Sequence, residues 1–312
     1  MKTALHRQRG DCQRHDHGPI PDATPKAVRT PRPMPDALDG YARHITAANT
    51  ARLPGDRTPF LVAGRTIGWI APGLAPALER RGLGRAGESF AIPSGEGLEA
   101  LGAALADEGL YRTHAELFDV IASPGAPPLG RIDRGALPLF GLLAQGVHMN
   151  GLVERADGPW LWIGRRAMNK RLDPGKLDHL VAGGIPAGLD ARGALTKEAA
   201  EEASIPADLA ETATPVGTIT YTMDRPEGLR RDILSCYDLV LPEDFQPVPA
   251  DGEVVAFELI PLPEAARLVR DTDQFKFNVT LVLIDLFLRR GLIDPRGPAG
   301  QALARGLRGP LA

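Results

Sequence analysis

The stretch GGIPAGLDARGALTKEAAEEASI, Gly183–Ile205, decides how the rest of the chain is read. Its core, Lys197-Glu198-Ala199-Ala200-Glu201-Glu202, is built from strong helix formers. On a helix, Glu198, Glu201 and Glu202 stand at i, i+3 and i+4 and share a face. Three carboxylates crowded there repel one another unless a counter-charge is present. Leu195, Ala199 and Ala203 lie on a different stripe and pack inward, and the small alanines let the helix approach a sheet closely. The glycines ahead of it let the backbone turn tightly. Hard divalent cations such as Mg²⁺ take oxygen ligands and bridge carboxylates to substrate phosphates. A metal so held polarises a phosphoryl oxygen and lowers the pKa of a bound water, and a spare carboxylate can then act as the base. Taken by themselves, the six residues fit an ordinary solvated helix better than a metal site. The longer frame reverses that balance.

Outward from this helix, which is expected over roughly residues 190–203, the elements are short and mixed. Upstream lie an extended apolar run, Phe140–Val153, the turn Ala156-Asp157-Gly158-Pro159 and a strand at Trp160–Arg165. A loop, Arg166–His179, leads to the glycine-rich entry at Val181–Gly188. Downstream, strands are expected at Val216–Thr222, Ile233–Leu241 and Val254–Ile260, with helices at Pro263–Arg270 and Asn278–Arg290. Mixed short strands and helices argue for α/β/α layers around a mixed sheet, not a doubly wound parallel one. Further upstream, FLVAGRTIGWI (Phe60–Ile70) reads as strand, turn, strand. Leu38–Asn49, Leu74–Arg81 and Gly97–Glu108 read as helices, and Glu116–Ile121 as a strand. The Pro/Gly run SPGAPPLG, Ser123–Gly130, marks a break. The expected organisation is a smaller α+β domain over 38–130, an α/β/α domain over 135–293 and a loose Gly/Pro/Arg tail over 295–312. The N-terminal 1–36, rich in Arg, His, Pro and Asp, reads as disordered, and Met34 is a candidate start.

With 43% apolar and 24% charged residues and a net charge of −3, the composition is that of an ordinary globular protein. Nothing in it points to nucleic acid or a membrane surface as partner. No apolar run reaches the roughly 20 residues a membrane span needs, and no signal peptide is evident. Cys12 and Cys236 give no disulfide framework, which fits a reducing cytoplasm. No Cys/His pair has zinc-ligand spacing, so His148 and His179 read as structural. Cys236 reads as a small buried hydrophobe, and Trp160, Trp162 and Tyr221 as core more readily than as stacking platforms.

The frame around Gly183–Ile205 resembles the Nudix box, which runs Gly, five residues, Glu, seven residues, Arg-Glu-apolar-any-Glu-Glu-any-Gly-apolar. Gly183, Glu198, Ala199, Glu201, Glu202 and Ile205 match. Lys197 replaces the Arg, Leu189 the early Glu and Ser204 the late Gly. In typical members the early Glu pairs with the Arg and helps hold the loop, so that support is lost here. The resemblance implies that Glu201 and Glu202 are metal ligands and that Glu198 is a ligand or the base. It also implies that the Gly183 carbonyl reaches the metal, which would be Mg²⁺ or Mn²⁺.

Trp162–Leu189 and the segment DQFKFNVTLVLIDLFLRRGLI (Asp273–Ile293) narrow the resemblance. So do FLVAGRTIGWIAP and LFGLLAQGVHMNG. They are similar to the Nudix module that fungi fuse ahead of a thiamine pyrophosphokinase and that plants and bacteria carry alone. That resemblance, over roughly 38–293, implies a hydrolase of thiamine diphosphate or its oxidised, damaged analogues, releasing the monophosphate and phosphate. The alternatives are a pyrophosphatase of a nucleotide, nucleotide-sugar or prenyl diphosphate, a non-catalytic ligand-sensing module, and an interaction protein whose Ala/Glu helix is surface only.

Arg166 and Lys170, with Arg165 and Lys176, are candidates to bind the diphosphate, Arg through its bidentate fork. Glu253, in Asp251-Gly252-Glu253, is the candidate additional acid from outside the box. Asp224 and Arg225 sit in a turn that could border the substrate. The expected partner is a small-molecule diphosphate, and a homodimer is left open.

Overall fold

The computed structural model describes residues 38–311, all within one compact unit. The expected disordered segment 1–36, with Cys12, therefore lies outside the described residues. In order, the elements are α1 (Asp39–Ala48), β1 (Thr58–Val62), β2 (Arg65–Ile70), α2 (Ala75–Glu79), β3 (Arg85–Ala86), β4 (Ser89–Ile92), α3 (Leu98–Asp107), β5 (Leu117–Val120), β6 (Gly130–Asp133) and α4 (Leu137–Phe140). The second half continues with β7 (Leu143–Arg155), β8 (Gly158–Arg166), β9 (Leu177–Asp178), β10 (Val181–Gly184), α5 (Ala191–Ala203), α6 (Ala207–Glu211), β11 (Thr214–Arg225), β12 (Gly228–Val240), β13 (Val254–Pro261), α7 (Leu262–Asp271), α8 (Phe277–Arg289) and α9 (Pro298–Gly306).

The second half is built on a seven-stranded mixed sheet in the order β11-β12-β7-β8-β13, with β10 on β7 and β9 on β8. β7 and β12 run parallel, and β7 is antiparallel to both β8 and β10. β7 is buried on both faces along most of its length, as a central strand between helical layers must be. Its odd-numbered side chains Val147, Met149 and Val153 join Leu195, Ala199 and Ala203 of α5 in one core. Leu152 of the opposite face joins Leu161, Cys236, Val279 and Val282 in the other. The mixed-sheet α/β/α reading of this half holds, with α5 and α6 on one face and α7 and α8 on the other. Trp162 and Tyr221 are core residues, as expected.

The first half carries a four-stranded sheet, β2-β1-β4-β3, and a separate β5–β6 hairpin. The expected strand-turn-strand over Phe60–Ile70 is present, but its turn falls at Ala63-Gly64, one residue before the expected Gly64-Arg65, with Val62 opposite Arg65. Two assignments change. α1, grouped with the first half from sequence, inserts Tyr41, Ile45 and Ala48 into the core under α8. The tail expected to be loose over 295–312 instead forms α9 and then straps the edge of the large sheet. Thr220 donates to Leu307 O at 3.0 Å, and Gly309 N returns a bond to Thr220 O at 2.9 Å. β11 is an edge strand whose free N–H and C=O groups need partners, and Leu303 and Leu307 gain burial in the same core. That gain is tertiary, so a Gly/Pro/Arg-rich composition concealed it.

Candidate metal and hydrolytic site

α5 begins cleanly. Asp190 caps it, its Oδ1 accepting from Gly193 N at 2.7 Å. It ends at Ser204, which adopts the left-handed conformation (φ 53°) that favours glycine. Ser204 Oγ donates to Val248 O at 2.9 Å, so a hydroxyl anchors the residue that stands where the box it resembles has Gly. Leu195, Ala199 and Ala203 face inward and are fully buried.

The three glutamates separate. Glu202 is 7% exposed, and its Oε2 accepts from Ala182 N of β10 at 2.9 Å. Burial pushes its carboxyl well above the usual carboxylate range, and the charges of Asp178 and Glu198 push it further. Glu198, with its side chain 15% exposed, lies against Gly183. A Cβ on Gly183 would stand 2.5 Å from Glu198 Cγ, so the glycine makes room for the acid. Burial also raises the Glu198 pKa, and Glu201 and Glu116 add to it while Lys197 opposes it. Glu201 is half exposed and pairs with Lys197 Nζ at 2.6 Å. Glu202 and Glu198 are drawn toward β10, at Ala182 N and against Gly183, while Glu201 stays half exposed beside Lys197.

The remaining acids come from the loop between β12 and β13. Val248 N bonds Ala203 O at 3.1 Å, holding this segment across the end of α5. Asp251 Oδ1 accepts from Glu253 N at 2.7 Å. Together, Glu202, Asp251 and Glu253 present carboxylate oxygens that all lie within 4.8 Å of one another. Lys170 pairs with Glu253. The reading of Glu253 singled out an acid that the fold brings beside Glu202. Asp251 was missed because a turn residue two positions from another acid carries no periodic signal.

The other cationic candidates are differently employed. Arg166 is buried and bonds Asp178 Oδ2 at 2.5 Å, Leu172 O at 2.9 Å and Asp173 O at 3.2 Å, so it ties down the 172–178 loop. Arg165 reaches Gly175 O at 3.2 Å, and Lys176 pairs with Asp173 at 3.4 Å. Asp224 pairs with Arg57, and Arg225 lies over the Phe277 ring. Sequence reasoning also missed Lys276, largely buried at the start of α8 with Nζ 3.4 Å from Asp178 Oδ2. Burial lowers its pKa, and Asp178 opposes that fall. A lysine set between two phenylalanines, Phe275 and Phe277, was the available signal.

His148, Asp178 and His179 also bring ligand atoms within 4.8 Å of one another. The histidines are bonded to each other, Nδ1 to Nδ1 at 2.8 Å. Arg166 and Lys276 already compensate Asp178, and two fixed cations oppose a third. This cluster reads as a buried polar network, as the histidines were expected to be. The oxygen set at Glu202, Asp251 and Glu253 is different. It combines a buried acid of raised pKa with two exposed ones, and it suits a hard cation such as Mg²⁺ or Mn²⁺.

Residues 145–281 match the family model of the NUDIX domain. Two curated relatives from Arabidopsis thaliana are similar to this chain. Nudix hydrolase 20, chloroplastic, is 44% identical over 65% of this chain and 55% of its own length. Nudix hydrolase 24, chloroplastic, is 47% identical over 62% and 53%. The chain thus spans about half the length of the curated relatives it matches. Among solved structures, DR0079 from Deinococcus radiodurans aligns with TM-score 0.41 and 20% identity, over 54% of this chain and 97% of its own.

Proposed function

We propose, on the premise that residues 145–281 are a NUDIX domain, that this protein hydrolyses a diphosphate linkage with the help of a divalent cation. Our finer reading of the substrate is thiamine diphosphate or its oxidised analogues, cut to the monophosphate and phosphate. The observation that carries the reaction class is the buried Glu202 carboxyl facing Asp251 and Glu253 beside the Gly183–Glu198 contact. The substrate reading rests on the resemblance of Trp162–Leu189 and Asp273–Ile293.

Glu202, Asp251 and Glu253 would hold the cation. A divalent ion bound there supplies charge for the phosphate oxygens and acidifies a coordinated water. Glu198 is the proton acceptor in this reading, because burial raises its basicity toward working pH. The oxygen of water forms a new bond to phosphorus, the bridging P–O bond breaks, and the proton goes to Glu198. Glu201 lies one residue before Glu202 on the same helix. Its exposed i,i+4 pair with Lys197 is worth only about 0.3–0.5 kcal/mol, so a cation can displace it. Lys170 would swing from Glu253 to a phosphate oxygen, while Arg166 stays committed to Asp178.

The test is phosphate release from thiamine diphosphate, its oxidised analogues, ADP-ribose and a prenyl diphosphate, with Mg²⁺ and then with chelator. Release from the thiamine series that chelator abolishes is the expected result. Release from another substrate alone would move the substrate assignment, and no release from any would overturn the enzymatic reading.

A further inference from the structure

The backbone from Gly184 to Asp190 joins β10 to α5 and so fixes where Glu198 and Glu202 sit. Its first residue after β10, Ile185, is buried and bonds Gln145 O of β7 at 3.0 Å, but beyond that residue little inside the loop holds it. Leu189 N bonds Pro186 O at 3.2 Å, Leu189 itself is exposed, and Lys197 is engaged with Glu201 and Glu198 on α5. The outside of the loop is held by the first half of the chain. Ala187 N bonds Leu117 O at 2.8 Å. Gly188 N, at a residue with φ +84°, bonds Asp119 Oδ2 at 2.9 Å. Between them the Phe118 ring lies so close to Gly184 that a Cβ there would overlap it. Three successive residues of β5 thus grip the loop with a carbonyl, a ring and a carboxylate. β6 braces the grip, because Arg131 Nε donates to the other oxygen of Asp119 at 3.2 Å.

We infer that the β5–β6 hairpin is the external brace of the loop ahead of α5, and that Asp119 is a positioning residue for the Glu198–Glu202 carboxylates. The N-terminal part of the chain would then be a working component of the hydrolytic site. A charged acceptor on a loop amide is among the stronger hydrogen bonds available. Small displacements of reacting groups cost rate far more than they cost stability.

The inference rests on the proposed cation site, and its test has an arm that needs no substrate. Asp119→Ala and Asp119→Asn are made in the full chain and compared with the parent. Amide hydrogen exchange is followed at Ile185 and Ala187, whose acceptors Gln145 O and Leu117 O the substitution leaves in place. In Asp119→Ala both amides should exchange on the order of tenfold faster, with the melting temperature little changed. Phosphate release should show kcat down about tenfold and the half-saturating Mg²⁺ concentration raised, with KM held within about twofold. Asp119→Asn keeps an acceptor oxygen and should recover most of both losses. Unchanged exchange at Ile185 and Ala187, or an Asn variant as impaired as the Ala variant, overturns the inference. A parent protein without hydrolytic activity would sink the proposed function, while the exchange arm still decides the brace.

Discussion

In the proposed reading, Glu202 is costly in the isolated fold and serves the cation at work. Its buried carboxyl has a pKa above that in an unfolded chain, so ionising it at neutral pH opposes folding. Glu202→Gln keeps an acceptor for Ala182 N and removes that cost. In chelator at pH 7, calorimetry should find the variant melting no lower than the parent. Added Mg²⁺ should stabilise only the parent, and the variant's kcat should fall on the order of a thousandfold. Lys276 sits in the opposite situation. Lys276→Ala leaves Asp178 with one of its two cations and should cost about 3 kcal/mol in urea unfolding. Glu202 was legible because the box spacing names it. Lys276 and Asp178 were not, because an ion pair between a short strand and the cap of a helix, 98 residues apart, leaves no local pattern.

α5 and β10 are where the helical reading succeeded and where it was too coarse. Helical spacing gave the buried stripe of Leu195, Ala199 and Ala203, and the limits of the helix fell within a residue of expectation. Yet Glu201 and Glu202 are successive, so they point about 100° apart around the axis. One turns into the sheet, and the other stays in solvent within reach of Lys197. A face that is wide on a helical wheel need not converge on a point. The Gly183–Glu198 contact gives a test of this scale. In Gly183→Ala the new methyl forces the Glu198 side chain aside, and that flexible tip can yield. Turnover should fall at least about tenfold while stability changes by less than about 1 kcal/mol. An equal loss in stability would place the strain in the backbone. The β5–β6 grip on the following loop was illegible for a different reason. The Pro/Gly run Ser123–Gly130 marks a break in periodicity, and periodicity does not report which turn will dock on which loop.

The molecule as a whole joins the two halves and ties its C-terminal end to a sheet edge, which composition alone did not foretell. It also buries ionisable groups whose protonation resists folding. Burial lowers the pKa of His148, and of His179 to about 4. An unfolded chain protonates these histidines near 6.5. The stability they allow is therefore whole above about pH 6.5 and is lost as pH falls toward the folded values. The slope should reach about 1.4 kcal/mol per pH unit for each histidine. Asp178, held below the usual carboxylate range despite its burial by Lys276 and Arg166, adds a further loss below about pH 4. Glu202 and Glu198, whose pKa values burial raises, titrate with the opposite sign in this window. The histidine part is therefore measured by urea unfolding between pH 7 and 5 in a chain carrying Glu198→Gln and Glu202→Gln, and a flat profile there would contradict it. The most direct test of the cation site is anomalous diffraction from crystals soaked in Mn²⁺. The account predicts a peak against the Glu202 carboxylate, shared with Asp251 or Glu253. A fully soaked crystal with no peak there, or with its ion between His148 and His179, would contradict it.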